Sequence, residues 1–211
     1  MSKNIKQLVG YRITDSKGNR QLFNNICFSA LKGCLLYVYG PNGSGKTTLL
    51  KIIAALSAAS KGNIICNEQM LDLTPITRGI SFMKSHPIFD EDQTVVEYLT
   101  HWAFAYNGVN RLSYESIYRS LDRVGLNNEK YHKISFLSLG QRKRLQISLT
   151  LLVNRPVWIM DEPTIGLDKY WVGQLSLLIE EKCIKGGIVI LTTHTQITIN
   201  NVKTHSIYIG V

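Results

Sequence analysis

Hydrophobic and polar residues alternate weakly over residues 5–14, and the turn cluster 15–19 separates this segment from residues 21–28. This pattern predicts two antiparallel strands joined by a turn. Three later runs are continuously apolar, which is typical of parallel strands buried on both faces. These runs are residues 35–39, 157–160 and 188–192. Shorter apolar segments predict further strands at residues 64–66, 79–83 and 206–209.

The middle of the chain, residues 94–154, has helical periodicity instead. Thr94 is predicted to cap the first helix of this region, with Glu97 three residues later in the capping-box position. Further helices are predicted at residues 49–56, 114–124, 138–153 and 170–183. The helical middle therefore interrupts a chain whose two ends are rich in strands.

The first apolar run is followed by a match to the phosphate-binding pattern G-x-x-x-x-G-K-[ST] at every fixed position. The matching run is Gly40, Pro41, Asn42, Gly43, Ser44, Gly45, Lys46, Thr47 and Thr48. Its glycines let the backbone approach a phosphate, and the following helix directs its positive end at the anion. We expect Lys46 to contact the β- and γ-phosphates and the Thr47 hydroxyl to bind Mg²⁺.

The run 157–160 ends in two acids, Asp161 and Glu162. Asp161 is expected to hold Mg²⁺ through water. Glu162 is expected to orient and deprotonate the water that attacks a γ-phosphate. The alternative interpretation is a pair of acids that only caps a strand end. A further motif upstream, at residues 137–141, favours the catalytic interpretation.

These patterns together predict an α/β fold with a P-loop NTPase (RecA-like) core, an antiparallel β flank and an inserted α-helical subdomain. We expect one domain over residues 1–211. Within it, residues 1–83 and 156–211 are expected to form the flank and the core. Residues 84–155 are expected to form the helical subdomain.

The motif upstream of the acids consists of Leu137, Ser138, Leu139, Gly140 and Gln141. It resembles the signature of ATP-binding-cassette (ABC) ATPases, usually written LSGGQ. Residues 162–168 resemble the end of the family's Walker B motif and its D-loop, which contains Asp168. His194 follows a predicted strand, as the switch histidine of the family does. The resemblance covers nearly the whole chain and implies the ABC ATPase fold.

The resemblance also implies how the site is assembled. Two domains of the family stack head to tail with ATP between them, so Ser138 and Gly140 of a second copy would complete the phosphate site. The expected partner is another ABC ATPase subunit, most simply a second copy of this chain. His194 would sense the γ-phosphate and hold Glu162 and water. Tyr11 would stack on adenine, with a core or surface role as its alternative.

Two residues depart from the family pattern. Ser85 stands where the family has a glutamine at the lip between core and helical subdomain, and serine reaches Mg²⁺ only through water or not at all. Leu139 replaces the first glycine of the signature, so its side chain must point away from the nucleotide. Either change could slow hydrolysis, but Lys46, Asp161 and Glu162 are all retained.

Composition narrows the partners only slightly. The net charge of +9 is compatible with nucleic acid, anionic lipid or acidic partner loops, but the abundance of Ile, Lys and Asn points to an AT-rich gene as its cause. The cysteines are scattered without a C-x-x-C pair, which argues against zinc and favours a reducing compartment. No apolar run reaches membrane-spanning length and no signal peptide is evident, so we expect a chain that is soluble by itself.

Residues 139–146 and 186–194 are similar to one branch of the ABC family, the ATPases of cytochrome c maturation complexes, especially their plant and algal mitochondrial forms. This similarity implies a membrane subunit of the CcmB type and a role in haem delivery. It also implies a peripheral location on the matrix side of the mitochondrial inner membrane. The cytoplasmic face of a proteobacterial inner membrane is the alternative.

Three other functions share part of these motifs. An ATPase of a different ABC exporter would share every catalytic motif. A soluble ABC ATPase that acts on DNA or ribosomes is disfavoured, because the chain has no long coiled-coil insertion and only one cassette, and we expect no nucleic-acid partner. A P-loop kinase is disfavoured by the signature at residues 137–141.

Overall fold

The computed structural model describes residues 5–67, 69–70, 79–107, 113–195 and 197–210. Its strands are β1 (Gln7–Lys17), β2 (Arg20–Leu31), β3 (Cys34–Tyr39), β4 (Lys61–Cys66), β5 (Gln69–Met70), β6 (Ile80–Met83), β7 (Val157–Asp161), β8 (Ile188–Thr192) and β9 (Lys203–Tyr208). Its helices are α1 (Lys46–Ile53), α2 (Val95–Asn107), α3 (Tyr114–Asp122), α4 (Leu139–Val153) and α5 (Lys169–Ile184), with a short 3₁₀ helix at Ile134–Phe136.

A five-stranded sheet of order β6-β7-β8-β3-β9 forms the centre, and every neighbouring pair in it is parallel. All residues of β7 and β8 are buried, as their continuous apolar runs predict. The carboxyl ends of parallel strands meet at one edge, so the loops after β3, β7 and β8 converge there. This edge is where the candidate site lies.

The predicted antiparallel flank is confirmed as a four-stranded sheet of order β2-β1-β4-β5. Its hairpin is tighter than the turn cluster suggests, because Lys17 pairs directly with Arg20. Gly18, at φ 60°, allows this two-residue turn. The helix after the phosphate loop is in turn shorter than predicted, ending at Ile53, and Ala55 adopts a left-handed conformation two residues later.

Hydrophobic side chains cover both faces of the parallel sheet. Val157 and Ile159 join a cluster formed with α1 and the antiparallel sheet. Trp158 and Met160 point to the opposite face and join a cluster formed with α2, α3, α4 and α5. This period-two alternation explains how one apolar strand supports two separate cores.

The start of the helical region follows its sequence signals. Thr94 Oγ1 accepts the Glu97 N–H at 3.3 Å, and the Glu97 carboxylate accepts hydrogen bonds from the Thr94 N–H and hydroxyl, both at 2.8 Å, so both bonds of the predicted capping box are present. The bonds to the carboxylate lower the pKa of Glu97. Among the described residues, none of the helices combines the length and the apolar character needed to traverse a bilayer.

Candidate functional site

The phosphate loop leads from β3 into α1 and leaves the start of that helix open. Gly45 occupies the N-cap position at φ 96°, and no side chain caps the helix there. A Cβ at Gly45 would lie 3.0 Å from atoms of Leu22 and Phe23, so both backbone angle and space favour glycine. The first N–H groups of α1 therefore lack a side-chain acceptor and suit an anion.

Two polar side chains of the loop have the donors that a phosphate requires. The Lys46 ammonium donates to the carbonyl oxygens of Gly40 at 2.9 Å and Pro41 at 3.1 Å. The hydroxyl of Ser44 is buried and has no hydrogen-bond partner. An unpartnered buried hydroxyl is costly in an isolated protein, and a phosphate oxygen would satisfy it.

Asp161 is fixed by hydroxyl groups from two neighbouring elements. Its Oδ2 accepts a 2.8 Å hydrogen bond from Thr47 Oγ1, and its Oδ1 accepts a 2.9 Å bond from Thr192 Oγ1. Thr192 Oγ1 accepts in turn from the Glu162 N–H at 3.0 Å. The phosphate loop and the ends of β7 and β8 are thus joined by a single hydrogen-bond chain.

Glu162 and His194 form the next layer of the site. Glu162 is buried and sits at φ 49°, a left-handed conformation that few non-glycine residues adopt and that marks strained functional positions. Its Oε2 accepts the His194 N–H at 3.2 Å. Its Oε1 lies 3.4 Å from His194 Nε2 and makes no hydrogen bond, so one buried acceptor is available for water.

These residues surround a cavity of about 470 Å³. The cavity is lined by Lys17, Leu22, Asn42, Gly43, Gly45, Lys46, Thr47, Thr48, Ser85, His86, Asp161, Glu162, Ile165 and His194. Most predicted phosphate, metal and catalytic residues are therefore brought together, whereas Gly40, Pro41 and Ser44 of the same loop do not line the cavity. Tyr11 is half-exposed on β1 and does not line the cavity, so its stacking role stays a prediction.

Three lining residues were not singled out from the sequence, namely Lys17, Leu22 and His86, while Ile165 belongs to the run 162–168 that resembles the D-loop region. Lys17 and Leu22 come from the β1–β2 hairpin, whose packing over the phosphate loop leaves no local sequence signal. His86 follows Ser85, which was expected at the lip, and its Nδ1 lies 3.2 Å from Ser85 Oγ. The position of Ser85 beside the phosphate cavity agrees with its expected location.

The signature residues lie outside this cavity. Ser138 caps α4, accepting the Gln141 N–H at 3.2 Å, while Gln141 Oε1 accepts the Ser138 N–H at 2.9 Å. This reciprocal pair is a complete capping box. A Cβ on Gly140 would come within 2.7 Å of the Gly166 carbonyl oxygen, so the signature packs tightly on the D-loop. Leu139 is exposed and lies against Gly166.

Asp168 at the end of the D-loop has a local structural contact. Its Oδ1 accepts the Trp171 N–H at 2.8 Å and thereby caps α5. The family resemblance identified this residue by position alone.

The donor set at the cavity fits Mg²⁺ together with a triphosphate. A hydroxyl and a carboxylate, Thr47 and Asp161, already lie within hydrogen-bond distance of each other. Magnesium in phosphate sites takes few protein ligands and completes its shell with phosphates and water. Within the part of the chain that the structure describes, no cluster of three or more His, Cys, Asp or Glu side chains could hold a metal ion by itself.

Comparison with known proteins agrees with the motifs and the fold. A family profile described as ABC transporter matches residues 23–165. A protein named cytochrome c biogenesis ATP-binding export protein CcmA from Reclinomonas americana is 47% identical over 92% of this chain and 88% of its own length. A protein of the same name from Mesorhizobium japonicum is 32% identical over 93% of this chain and 96% of its own.

Solved structures give the same result. An ABC transporter ATP-binding protein from Pyrococcus furiosus matches with a TM-score of 0.82 and 27% identity, covering 96% of this chain and 97% of that one. A dimeric ATP-binding cassette in a post-hydrolysis state, bound to ADP and phosphate, matches with a TM-score of 0.77 and 26% identity, covering 89% and 88%. This chain therefore belongs to the ABC transporter family and is an ABC ATPase.

Proposed function

We propose that this chain is the ATP-hydrolysing subunit of an exporter that serves cytochrome c biogenesis. The observation that carries the proposal is the 47% identity, over almost the whole chain, to a protein named as an export ATPase of that process. The assembled phosphate cavity supports the ATPase half of the proposal. The ATPase of another ABC exporter is the alternative, since it would use the same cavity.

In this function the phosphate loop binds the triphosphate. The first N–H groups of α1 and the Ser44 hydroxyl donate hydrogen bonds to the phosphate oxygens, and the Lys46 ammonium leaves its own loop carbonyls for the β- and γ-phosphates. The exchange is favourable because a charged acceptor binds an ammonium more strongly than a carbonyl does. Lys46 thus exchanges the carbonyl oxygens of its own loop for phosphate oxygens when the nucleotide binds.

Thr47 and Asp161 are proposed to hold Mg²⁺, Thr47 directly and Asp161 through water. When bound, the ion neutralises charge on the β- and γ-phosphates. The 2.8 Å hydrogen bond between the two side chains keeps their oxygens together beforehand. Thr192 restrains the second carboxylate oxygen of Asp161. Ser85 is proposed to contribute only through water.

Glu162 is proposed to act as the general base. Its Oε1 has no hydrogen-bond partner and faces His194 across 3.4 Å, which leaves an acceptor for the attacking water. The backbone N–H of His194 fixes the other carboxylate oxygen, so the residue cannot rotate freely. His194 is then positioned to contact both the water and the γ-phosphate.

The second half of the site is proposed to come from another copy of the chain. Ser138 and Gly140 do not line the cavity of their own chain, which is what a contact in trans requires. The Ser138 hydroxyl accepts the Gln141 N–H and keeps its own hydrogen free to donate to a γ-phosphate. A head-to-tail homodimer would place this donor over the phosphate loop of the partner.

The membrane partner is proposed to be a CcmB-like subunit, with this ATPase peripheral on the inner membrane. We favour the matrix side of the mitochondrial inner membrane over the cytoplasmic face of a proteobacterial one. We also propose the division expected above, with residues 84–155 as the helical subdomain, and within it residues 94–133 as the part that faces the membrane subunit. Support for a contact between this subdomain and the membrane subunit comes from a cavity of about 100 Å³ between β6 and α2, lined in part by Met83, Tyr98 and Trp102. Ile88 also lines this cavity and is 92% exposed.

The test is depletion of the protein in its native organism. We expect covalently haem-bearing c-type cytochromes to disappear, while b-type cytochromes, which bind haem without covalent attachment, are unchanged. Re-expression of the wild-type protein should restore the c-type cytochromes, and Lys46→Ala should not. Normal c-type cytochromes after depletion would contradict the proposal and favour another exporter. Affinity purification should also recover a CcmB-like membrane subunit.

A further inference from the structure

Two buried polar side chains of α4 hold the backbone of the lip segment, residues 84–86, which follows β6. Lys143 is only 3% exposed, and its ammonium donates to the Ser85 carbonyl oxygen at 2.9 Å. Gln146, three residues along the helix, donates from Nε2 to the Lys84 carbonyl oxygen at 3.2 Å. Residues three apart share a helix face, so the two bonds act on the lip from one side.

Burial of a lysine at this point requires compensation. Desolvation lowers the pKa of Lys143 to about 8, and the negative charges of Asp161 and Glu162 oppose that shift. An apolar side chain would fill similar space without the cost of desolvating a charge. The ammonium therefore lies where it both binds the lip and faces the two acids of the cavity.

The lip itself reaches the phosphate cavity. Ser85 and His86 both line it, together with Lys46, Asp161 and Glu162. The His86 ring nitrogen Nδ1 lies 3.2 Å from the Ser85 hydroxyl, so the imidazole is tied to the same backbone that Lys143 holds. A displacement of this backbone would move the imidazole relative to the nucleotide.

We propose that Lys143 is a positioning residue that fixes the lip against α4 and thereby sets the His86 imidazole at the phosphates. The inference rests on the proposed ATPase site. Lys143 lies about one and a half turns from Ser138, the cap of the same helix. A shift of α4 when its signature engages a second copy would reach the lip through Lys143 and Gln146. The lip beside each phosphate cavity would then shift according to whether the signature of the same chain is bound to a second copy.

Lys182 provides a matched control. Burial lowers the pKa of its ammonium to about 8 as well, and it donates to a backbone carbonyl, that of Arg155, at 2.6 Å. It lies in a separate cavity beside Trp158 and does not line the phosphate cavity. Replacement of Lys182 by Met removes a partly buried ammonium whose pKa is lowered in the same way, without touching the lip.

The experiment compares wild type, Lys143→Met, His86→Ala, their double variant and Lys182→Met. We measure thermal stability, the equilibrium affinity for ATP with and without Mg²⁺, and steady-state hydrolysis. Lys143→Met should lower kcat about tenfold or more, since small misplacements are costly at reacting centres. ATP affinity without Mg²⁺ should change less than about threefold, because the phosphate loop is untouched. Lys182→Met should leave both unchanged.

The double variant decides whether Lys143 acts through His86. We expect its kcat to match the worse single variant within about twofold, because residues in one chain of contacts are not additive. Losses that multiply, or a Lys143→Met variant indistinguishable from Lys182→Met, would overturn the proposal. Should Lys143→Met fail to fold, Lys143→Arg keeps charge and donors and should retain activity. Gln146→Met, which removes the second bond to the lip, should in that case lower kcat.

These measurements require only ATP, Mg²⁺ and the purified chain. A wrong assignment to cytochrome c biogenesis would therefore leave the result readable. Failure of the positioning role would likewise leave the depletion experiment unaffected.

Discussion

Helix α1 begins at a bare phosphate loop, whereas α4 begins with a complete side-chain cap. At α1 the N-cap is Gly45, and no side chain accepts the first N–H groups. At α4 Ser138 and Gln141 satisfy each other's backbone N–H groups reciprocally. Both helix starts are proposed to bind phosphate of the same nucleotide, one in each copy of the chain.

Because only one of the two helix starts is capped by side chains, we expect them to have different functions. The start of α1 has unsatisfied donors and a buried unpartnered hydroxyl at Ser44, so a ligand completes it. The start of α4 is stable without ligand and retains only the hydrogen of the Ser138 hydroxyl as a spare donor. Nucleotide should therefore bind first at the phosphate loop, and the signature should join once ATP is in place.

The largest effect within this comparison is expected for Lys46→Ala. The variant removes the charged donor of the open site, and hydrogen bonds to charged groups contribute about 1.5–3 kcal/mol, or roughly 10- to 150-fold in affinity. Equilibrium titration with a fluorescent ATP analogue measures this loss. Stability without nucleotide should change little, because Lys46 bonds only carbonyls of its own loop. Unchanged affinity would remove Lys46 from the phosphate contact.

Ser138→Ala should separate the role of this residue as the cap of α4 from its proposed role as a donor to the γ-phosphate. Loss of the cap should lower the free energy of unfolding by about 1 kcal/mol, measured by denaturant titration. Affinity of a single chain for ATP should stay within about twofold, since Ser138 does not line its own cavity. Hydrolysis should fall about tenfold or more, as expected when a donor to the transition state is removed. A loss of ATP affinity without loss of turnover would contradict a role in trans.

Gln141→Ala should have the smallest effect on hydrolysis of the three variants. It removes the acceptor for the Ser138 N–H and one hydrogen bond to Glu129, and should lower stability by about 0.5–1.5 kcal/mol. The Ser138 hydroxyl remains, so kcat at saturating ATP should stay within about threefold of wild type. Comparison of its kcat with that of Ser138→Ala isolates the hydroxyl from the cap. Equal losses in both variants would mean that cap stability alone sets turnover.

Local signals were sufficient for the elements that build the site. The apolar runs that became β7 and β8, the Thr94–Glu97 cap and the signature cap at Ser138 are each encoded within a few residues. The phosphate loop and the acids Asp161 and Glu162 were singled out from their motifs alone, and they line one cavity. Short-range pattern and motif spacing together fix which strand ends converge.

Contacts between distant elements could not be predicted in this way. Lys143 and Ser85 are 58 residues apart, and nothing in either segment signals the bond between them. His86 enters the cavity because α4 holds the lip, and Lys17 enters because the β1–β2 hairpin packs over the phosphate loop. The end of α1 at Ile53 also depends on the left-handed backbone at Ala55, which the helical pattern of residues 49–56 conceals.

The central claim is that the phosphate loop is half of a site and that ATP joins it to the signature of a second copy. Sedimentation velocity of Glu162→Gln with Mg²⁺ and ATP tests it most directly. The substitution removes the general base, worth roughly 10²- to 10⁴-fold in rate, while its amide keeps the shape of the side chain. The account predicts a monomer without nucleotide, a stable dimer with ATP and a monomer again with ADP. A variant that stays monomeric with ATP bound, or that hydrolyses ATP at the wild-type rate, would contradict it.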